Sequence, residues 1–200
     1  MSLGKQAKVL TDNQQKAVLG CIAARRHAAR RHAARRHAAR NTLMFLLSVD
    51  AGLRAKEIAQ LDWSMITDAV GNIAGEIRLQ DIAAKGNSGG VVFISKRLGD
   101  ALAAYGNGQL LKGRVIKSQN GAGMNAQVVT NWFFNLYREL GYDGCSSHSG
   151  RRTAITRWAR RISSVGGSMR DVQSLARHSS LAMTQRYIDI SEEACRRVVG

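Results

Sequence analysis

The chain contains no proline, so no turn or helix start in it can rest on a locked pyrrolidine ring; nothing in the residue pattern accounts physically for the lack. Cysteine is scarce as well. Cys21, Cys145 and Cys195 are odd in number and far apart, which suggests neither a disulfide framework nor a zinc motif and fits a reducing cytosol. Long hydrophobic runs are also missing. The most apolar stretch, Leu43 to Val49, is much too short to span a bilayer, and the start Met-Ser-Leu-Gly-Lys-Gln has no apolar signal core, so no secretion or membrane role follows. Acidic residues are few, 14 against 30 lysines and arginines, and the net charge of +16 with a pI near 10.9 points to a polyanionic partner. Residues 25 to 40 contribute seven arginines, and setting those aside still leaves +9.

At 200 residues the chain can bury a sizeable core and reads most simply as one domain, two at most. Thr11-Asp-Asn-Gln14 reads as a capping box opening a helix that carries Val18, Leu19 and Ile22 on one side. A period-five repeat of Ala-Ala-Arg-Arg-His then runs over residues 23–40. Alanine and arginine favour helix. Five residues advance a helix by about 500°, so like residues build no stripe. Histidines five apart do not share a face as metal ligands would. Arginines there could touch DNA phosphates, but charge runs are usually solvated, and a neutral basic insertion between two helices is the preferred account.

Asn41 to Val49 reads as a buried helix ended by Gly52, and Arg54 begins a helix with Glu57, Ile58 and Leu61. Ile73 to Leu79 alternates as a strand, Val91 to Ile94 as its partner, and Gly86-Asn-Ser-Gly-Gly90 suits the turn of a hairpin with Lys85 at its base. Lys96 to Leu111 is expected as a helix with Leu98, Leu102 and Leu110 apolar, and Arg114 to Lys117 as a brief strand. Asn125 caps an amphipathic helix whose Val128, Val129, Trp132, Phe133, Leu136, Tyr137 and Leu140 read as core, ended by Gly141. A helix starting near Ser146 or Ser147 buries Ile155 and Trp158 and is broken by Gly166-Gly167. Two short helices follow, Arg170 to Leu175 and Leu181 to Tyr187, and Asp189 to Glu192 reads as the cap of a terminal one.

His148 and Arg151 are three apart, so on a helix they reach one anion together, aided by the helix N-terminus. Farther on, Leu175-Ala-Arg-His178-Ser-Ser offers a second imidazole, and nine residues after it stands Tyr187. These side chains make a phosphate site with a nucleophile. The pattern is similar to the C-terminal half of the tyrosine recombinase, or phage integrase, family. Asp50-Ala-Gly-Leu-Arg54-Ala-Lys-Glu57 resembles that family's first arginine box, and Ala84-Lys85-Gly-Asn-Ser-Gly-Gly its lysine-bearing hairpin. Four motifs in the right order, from about Thr11 to the C-terminus, carry the resemblance.

The resemblance implies a mainly helical α+β catalytic domain with a small antiparallel β-hairpin. Residues 1–200 read as that domain, with residues 1–10 as an N-terminal tail, the 23–40 repeat as an insertion, and none of the N-terminal core-binding domain that many relatives carry. It implies cleavage of double-stranded DNA by Tyr187 through a 3′-phosphotyrosyl link, Arg54 and Arg151 clamping the phosphate, Lys85 as general acid, His148 taking the tyrosine proton and His178 holding a non-bridging oxygen. Glu57 is expected to position its surroundings. No cofactor and no metal is implied, the carboxylates being scattered. The implied partners are synapsed DNA sites held by a homotetramer, with an accessory DNA-bending protein, in the cytoplasm at the nucleoid. The alternatives are a type IB topoisomerase-like strand transferase and an inactive DNA-binding relative. Two departures stand out: Arg177 where the family usually has glycine before His178, and Gly150 where it often has leucine before Arg151.

Overall fold

The computed structural model describes residues 6–28, 32–81, 89–108, 110–118, 120–188 and 192–199. At its start the expected capping box is formed: the Thr11 N–H donates to Gln14 Oε1 at 2.9 Å and Thr11 Oγ1 accepts from the Gln14 N–H at 3.2 Å. Helix α1 (Asp12–Ala28) follows and buries Val18 and Ile22. Helix α2 spans His32–Val49, so the Ala-Ala-Arg-Arg-His repeat supplies the end of one helix and the start of the next. Alanine and arginine in place of turn residues let both helices extend into it. Leu43 to Leu47 are all essentially buried, as befits a helix that is apolar all round.

After α2 the chain turns at Gly52, whose φ of 63° suits glycine, into α3 (Ala55–Gln60) and a 3-10 turn over Trp63–Met65. Strand β1 (Glu76–Leu79) pairs antiparallel with β2 (Gly90–Phe93), Leu79 opposite Gly90. The first strand is shorter than its alternating pattern suggested, because Ile73 pairs instead with Thr67 in an isolated bridge. Lys85 and positions 86–88 of the expected hairpin turn lie outside the described residues, while Gly89 donates its N–H to Asp81 Oδ1 at 2.9 Å and Gly90 already belongs to β2.

Helix α4 (Lys96–Gly106) is capped by Ser95, whose Oγ accepts from the Leu98 N–H at 3.2 Å. It stops short of the expected Leu111. A Cβ on Gly106 would lie 2.8 Å from Leu111 Cδ2, and Gly108 takes a φ of 71°, so the chain folds back there. Leu98 and Leu102 are core while Leu110 is 82% exposed. Arg114 and Lys117 form single bridges to Asp62 and Gly123 in place of the expected strand. Asn125 Oδ1 accepts from the Val128 N–H at 2.9 Å to cap α5 (Ala126–Glu139). That helix buries Val129, Phe133, Leu136 and Tyr137 but leaves Val128 exposed, because Val128 sits in the first turn one step off the apolar stripe.

Helix α6 spans Ser149–Ile162, and the chain divides within it into two compact units, Met1–Ala154 and Ile155–Gly200. The first has its core among α1 to α5 and the hairpin. The second is small. Ile155, Val172 and Ala176 form its centre, with Trp158, Ile162, Met169 and Tyr187 packed against them. It contains α7 (Met169–Ala176), α8 (Leu181–Gln185) and α9 (Glu192–Val199), and Gly166 breaks the chain before α7 at a φ of 79°. The expected cap of the last helix lies mostly at 189–191, outside the described residues. Among the described residues the architecture is mainly helical with one two-stranded antiparallel sheet, as the resemblance implied.

Candidate active site

Arg54 stands at the N-cap of α3, its backbone extended at φ −77° and ψ 157°. One turn on, Glu57 folds back over it. The carboxylate accepts from the Arg54 N–H at 2.8 Å and from its Nη1 at 2.7 Å, a reach that the i,i+3 spacing and the helix N-terminus both favour. Glu57 is fully buried and the Arg54 side chain 17% exposed, so a buried carboxylate fixes the guanidinium of a side chain that is not itself fully enclosed.

Arg151 lies in the first turn of α6 and is 1% exposed. Its Nη1 donates to the Gly52 carbonyl at 2.6 Å, across 99 residues of sequence. A buried guanidinium must be met by acceptors, and here one acceptor is the main chain two residues ahead of Arg54. The two arginine-bearing segments are thereby drawn together within the first unit. Gly150 makes that approach feasible: a Cβ there would sit 2.1 Å from Ser48 Oγ and 2.8 Å from its Cβ. The glycine that departs from the family pattern is thus the residue by which α6 comes up against the end of α2.

His148 is exposed and stands immediately before α6. The helix begins at Ser149, slightly later than the expected Ser146 or Ser147, because Ser146 is used in the turn ahead of it: its N–H donates to Ser149 Oγ at 3.0 Å and its Oγ accepts from the His148 N–H at 3.3 Å. The imidazole therefore sits at the positive end of the helix. Lys85 lies outside the described residues.

In the second unit, α7 ends at Arg177, which adopts φ 52° and ψ 49°, the only non-glycine residue at positive φ among those described. The motif places glycine at this position, and the left-handed backbone is the reason. His178 follows, 6% exposed. Its N–H donates to the Gln173 carbonyl at 3.1 Å and its carbonyl accepts from Gln173 Nε2 at 3.1 Å, while its Nδ1 lies 3.0 Å from Thr184 Oγ1. Tyr187, just past α8, is half-buried with its ring centroid 5.1 Å from that of His178. The Tyr187 N–H donates to the Thr184 carbonyl at 3.0 Å, and its own carbonyl accepts from Thr156 Oγ1 at 2.8 Å. Sequence reasoning does not single out Thr156, and it takes Thr184 only as part of the motif that runs from His178 to Tyr187, with no role of its own. Thr184 stands three residues before Tyr187 and six after His178, a spacing that reads as a helix position until the fold brings its hydroxyl to the ring.

Other tyrosines are placed differently. Burial pushes the Tyr137 phenol far above its ordinary value, and burial also raises that of Tyr105, opposed by Arg40 and Arg36. Both belong to the core. Among the described residues no three His, Cys, Asp or Glu side chains gather as metal ligands would, and no helix is long and apolar enough to cross a membrane.

Residues 9–194 match the phage integrase family. Among solved structures the chain is similar to the XerA recombinase, at 16% identity and a TM-score of 0.71 over 96% of this chain and 64% of that one. It is similar to the XerH site-specific recombinase bound to a palindromic difH substrate in a post-cleavage complex, at 16% identity and 0.69, over 98% of this chain and 53% of that one. It is also similar to a lambda integrase dimer bound to a COC′ core site, at 17% identity and 0.61, over 92% and 48%. The chain thus spans less than two thirds of the length of these relatives. No curated protein matches.

Proposed function

The chain belongs to the phage integrase family, and from that membership we propose that it is a site-specific recombinase that breaks and rejoins double-stranded DNA through Tyr187. In this reading residues 1–200 act as the catalytic domain. Arg54 and Arg151 hold the non-bridging oxygens, since a guanidinium fork matches phosphate geometry. His148 takes the phenolic proton, Tyr187 attacks phosphorus in line, and the bond to the 5′ oxygen breaks as Lys85 supplies its proton. The 3′-phosphotyrosyl ester conserves the bond energy, and the reverse attack by a 5′ hydroxyl rejoins the strand without ATP. His178 holds a non-bridging oxygen. A homotetramer on two synapsed sites, aided by a DNA-bending protein, completes the proposal.

The observation that carries this reading is the bond from Arg151 to the Gly52 carbonyl. It unites two cationic segments remote in sequence beside Glu57, which already fixes Arg54. The test is a library of nicked duplexes of randomised sequence, in which a cleaved strand loses its short 5′-hydroxyl fragment and cannot be resealed. Wild-type protein should accumulate a covalent protein–DNA complex, and Tyr187→Phe should form none. No adduct with wild type, or an undiminished adduct with Tyr187→Phe, would refute the reading. Relaxation of any supercoiled plasmid without site preference would favour a topoisomerase instead.

A further inference from the structure

We propose that Thr184 is a positioning residue that sets the tautomer of His178, an inference that rests on the recombinase reading only for its catalytic consequence. Thr184 is fully buried, and so, to 6% exposure, is His178. Among the described residues, His178 Nδ1 at 3.0 Å is the hydrogen-bond partner of the Thr184 hydroxyl. A buried hydroxyl whose proton finds no acceptor is costly. Were Nδ1 protonated, it would donate to Oγ1, leaving the hydroxyl proton stranded in the interior and the likewise buried Nε2 as a bare lone pair. With the proton on Nε2 the hydroxyl is satisfied, and Nε2–H is the one donor that a phosphate oxygen would take. The hydroxyl therefore donates, Nδ1 is the bare nitrogen, and the neutral ring carries its proton on Nε2.

The consequence for phosphate chemistry is direct. An imidazole that is to hold a non-bridging oxygen must offer an N–H, and with Nδ1 committed to Thr184 the nitrogen that offers it is Nε2. The same residue also braces the nucleophile's main chain, because the Thr184 carbonyl accepts the Tyr187 N–H at 3.0 Å. One threonine thus orients the imidazole through its side chain and the tyrosine segment through its backbone. Substitution of the hydroxyl alone separates the two effects, since the carbonyl remains.

The test uses the full chain labelled with 15N at histidine, the His178 resonances being assigned by their loss in His178→Gln. At a pH where the ring is neutral, wild-type His178 should be the Nε2–H tautomer, Thr184→Ser should keep it, and Thr184→Val and Thr184→Ala should admit the Nδ1–H form. An Nδ1–H ring in the wild type, or an unchanged Nε2–H ring in both hydroxyl-free variants, overturns the proposal. The wild-type spectrum decides the tautomer whether or not either variant folds. On nicked duplexes captured by the wild type, Thr184→Val should slow single-turnover cleavage about tenfold at unchanged DNA affinity, and Thr184→Ser should stay within about twofold. Cleavage by Thr184→Val at the wild-type rate overturns the catalytic part. A wild type that traps no DNA defeats the recombinase reading and leaves the tautomer to the spectrum.

Discussion

On α5 the Tyr137 hydroxyl is buried and, among the described residues, has no hydrogen-bond partner. Removing an unmet buried hydroxyl costs little, so Tyr137→Phe is expected to raise stability by about 1 kcal/mol in denaturant titrations. The same burial lifts the phenol's pKa in the folded state. The unfolded chain then loses its proton first, and the folded protein loses stability as pH rises past the ordinary phenol value of about 10. Tyr137→Phe should remove that alkaline contribution, which melting curves at successive pH values would show. Arg177 offers a contrasting case. Arg177→Gly should stabilise by about 0.5 kcal/mol, the left-handed penalty less the entropy that glycine adds to the unfolded chain; a loss of stability would mean that the arginine side chain outweighs its backbone. Both residues show what sequence makes legible. Helical spacing alone puts Tyr137 in the core, and motif comparison alone marks Arg177 as occupying a glycine position. The atoms met by Thr184 are not legible in this way, because a side-chain contact within the second unit leaves no periodic trace.

At the level of elements, the meeting of α6 with α2 depends on Gly150 and Ser48. Gly150→Ala drives a methyl into the Ser48 side chain and should cost about 2 kcal/mol. Ser48→Gly should recover part of that, giving a favourable coupling of about 1 kcal/mol in a double-mutant cycle read by chemical denaturation; additive effects would show that the helices yield at no cost. The start of α7 is reinforced by Asp171, whose carboxylate accepts from the Ser168 N–H at 2.7 Å and its hydroxyl at 2.8 Å. Those bonds hold the Asp171 pKa below its ordinary value. A carboxyl depressed in the folded state adds stability above its unfolded pKa and loses it as pH falls through the folded one. Asp171→Asn should accordingly flatten the acid limb of the melting profile. Helix starts are legible because caps are local: Thr11 and Asn125 act within three residues. Helix ends are less so. The stop of α4 at Gly106 depends on Leu111 and Trp63 occupying the space beside it, which no short window of sequence reveals.

Across the whole molecule the basic charge survives subtraction of the repeat, and the described residues of the repeat belong to α1 and α2. If it is a neutral insertion, replacing Arg26, Arg30, Arg31 and Arg35 with glutamine should leave the salt dependence of DNA binding unaltered, as fluorescence anisotropy across salt concentrations would report; for every phosphate that those arginines neutralise, the slope would instead flatten by roughly 0.9. The family, the mainly helical architecture and the identity of the candidate residues were all determined by sequence, because caps, periodicity and motif order are properties of neighbours along a chain. Tertiary structure decided which of those residues touch. Arg151 meets the Gly52 carbonyl and His178 meets Thr184 only because separate helices pack, and packing selects partners by shape and by the need to satisfy buried polar groups rather than by distance along the chain.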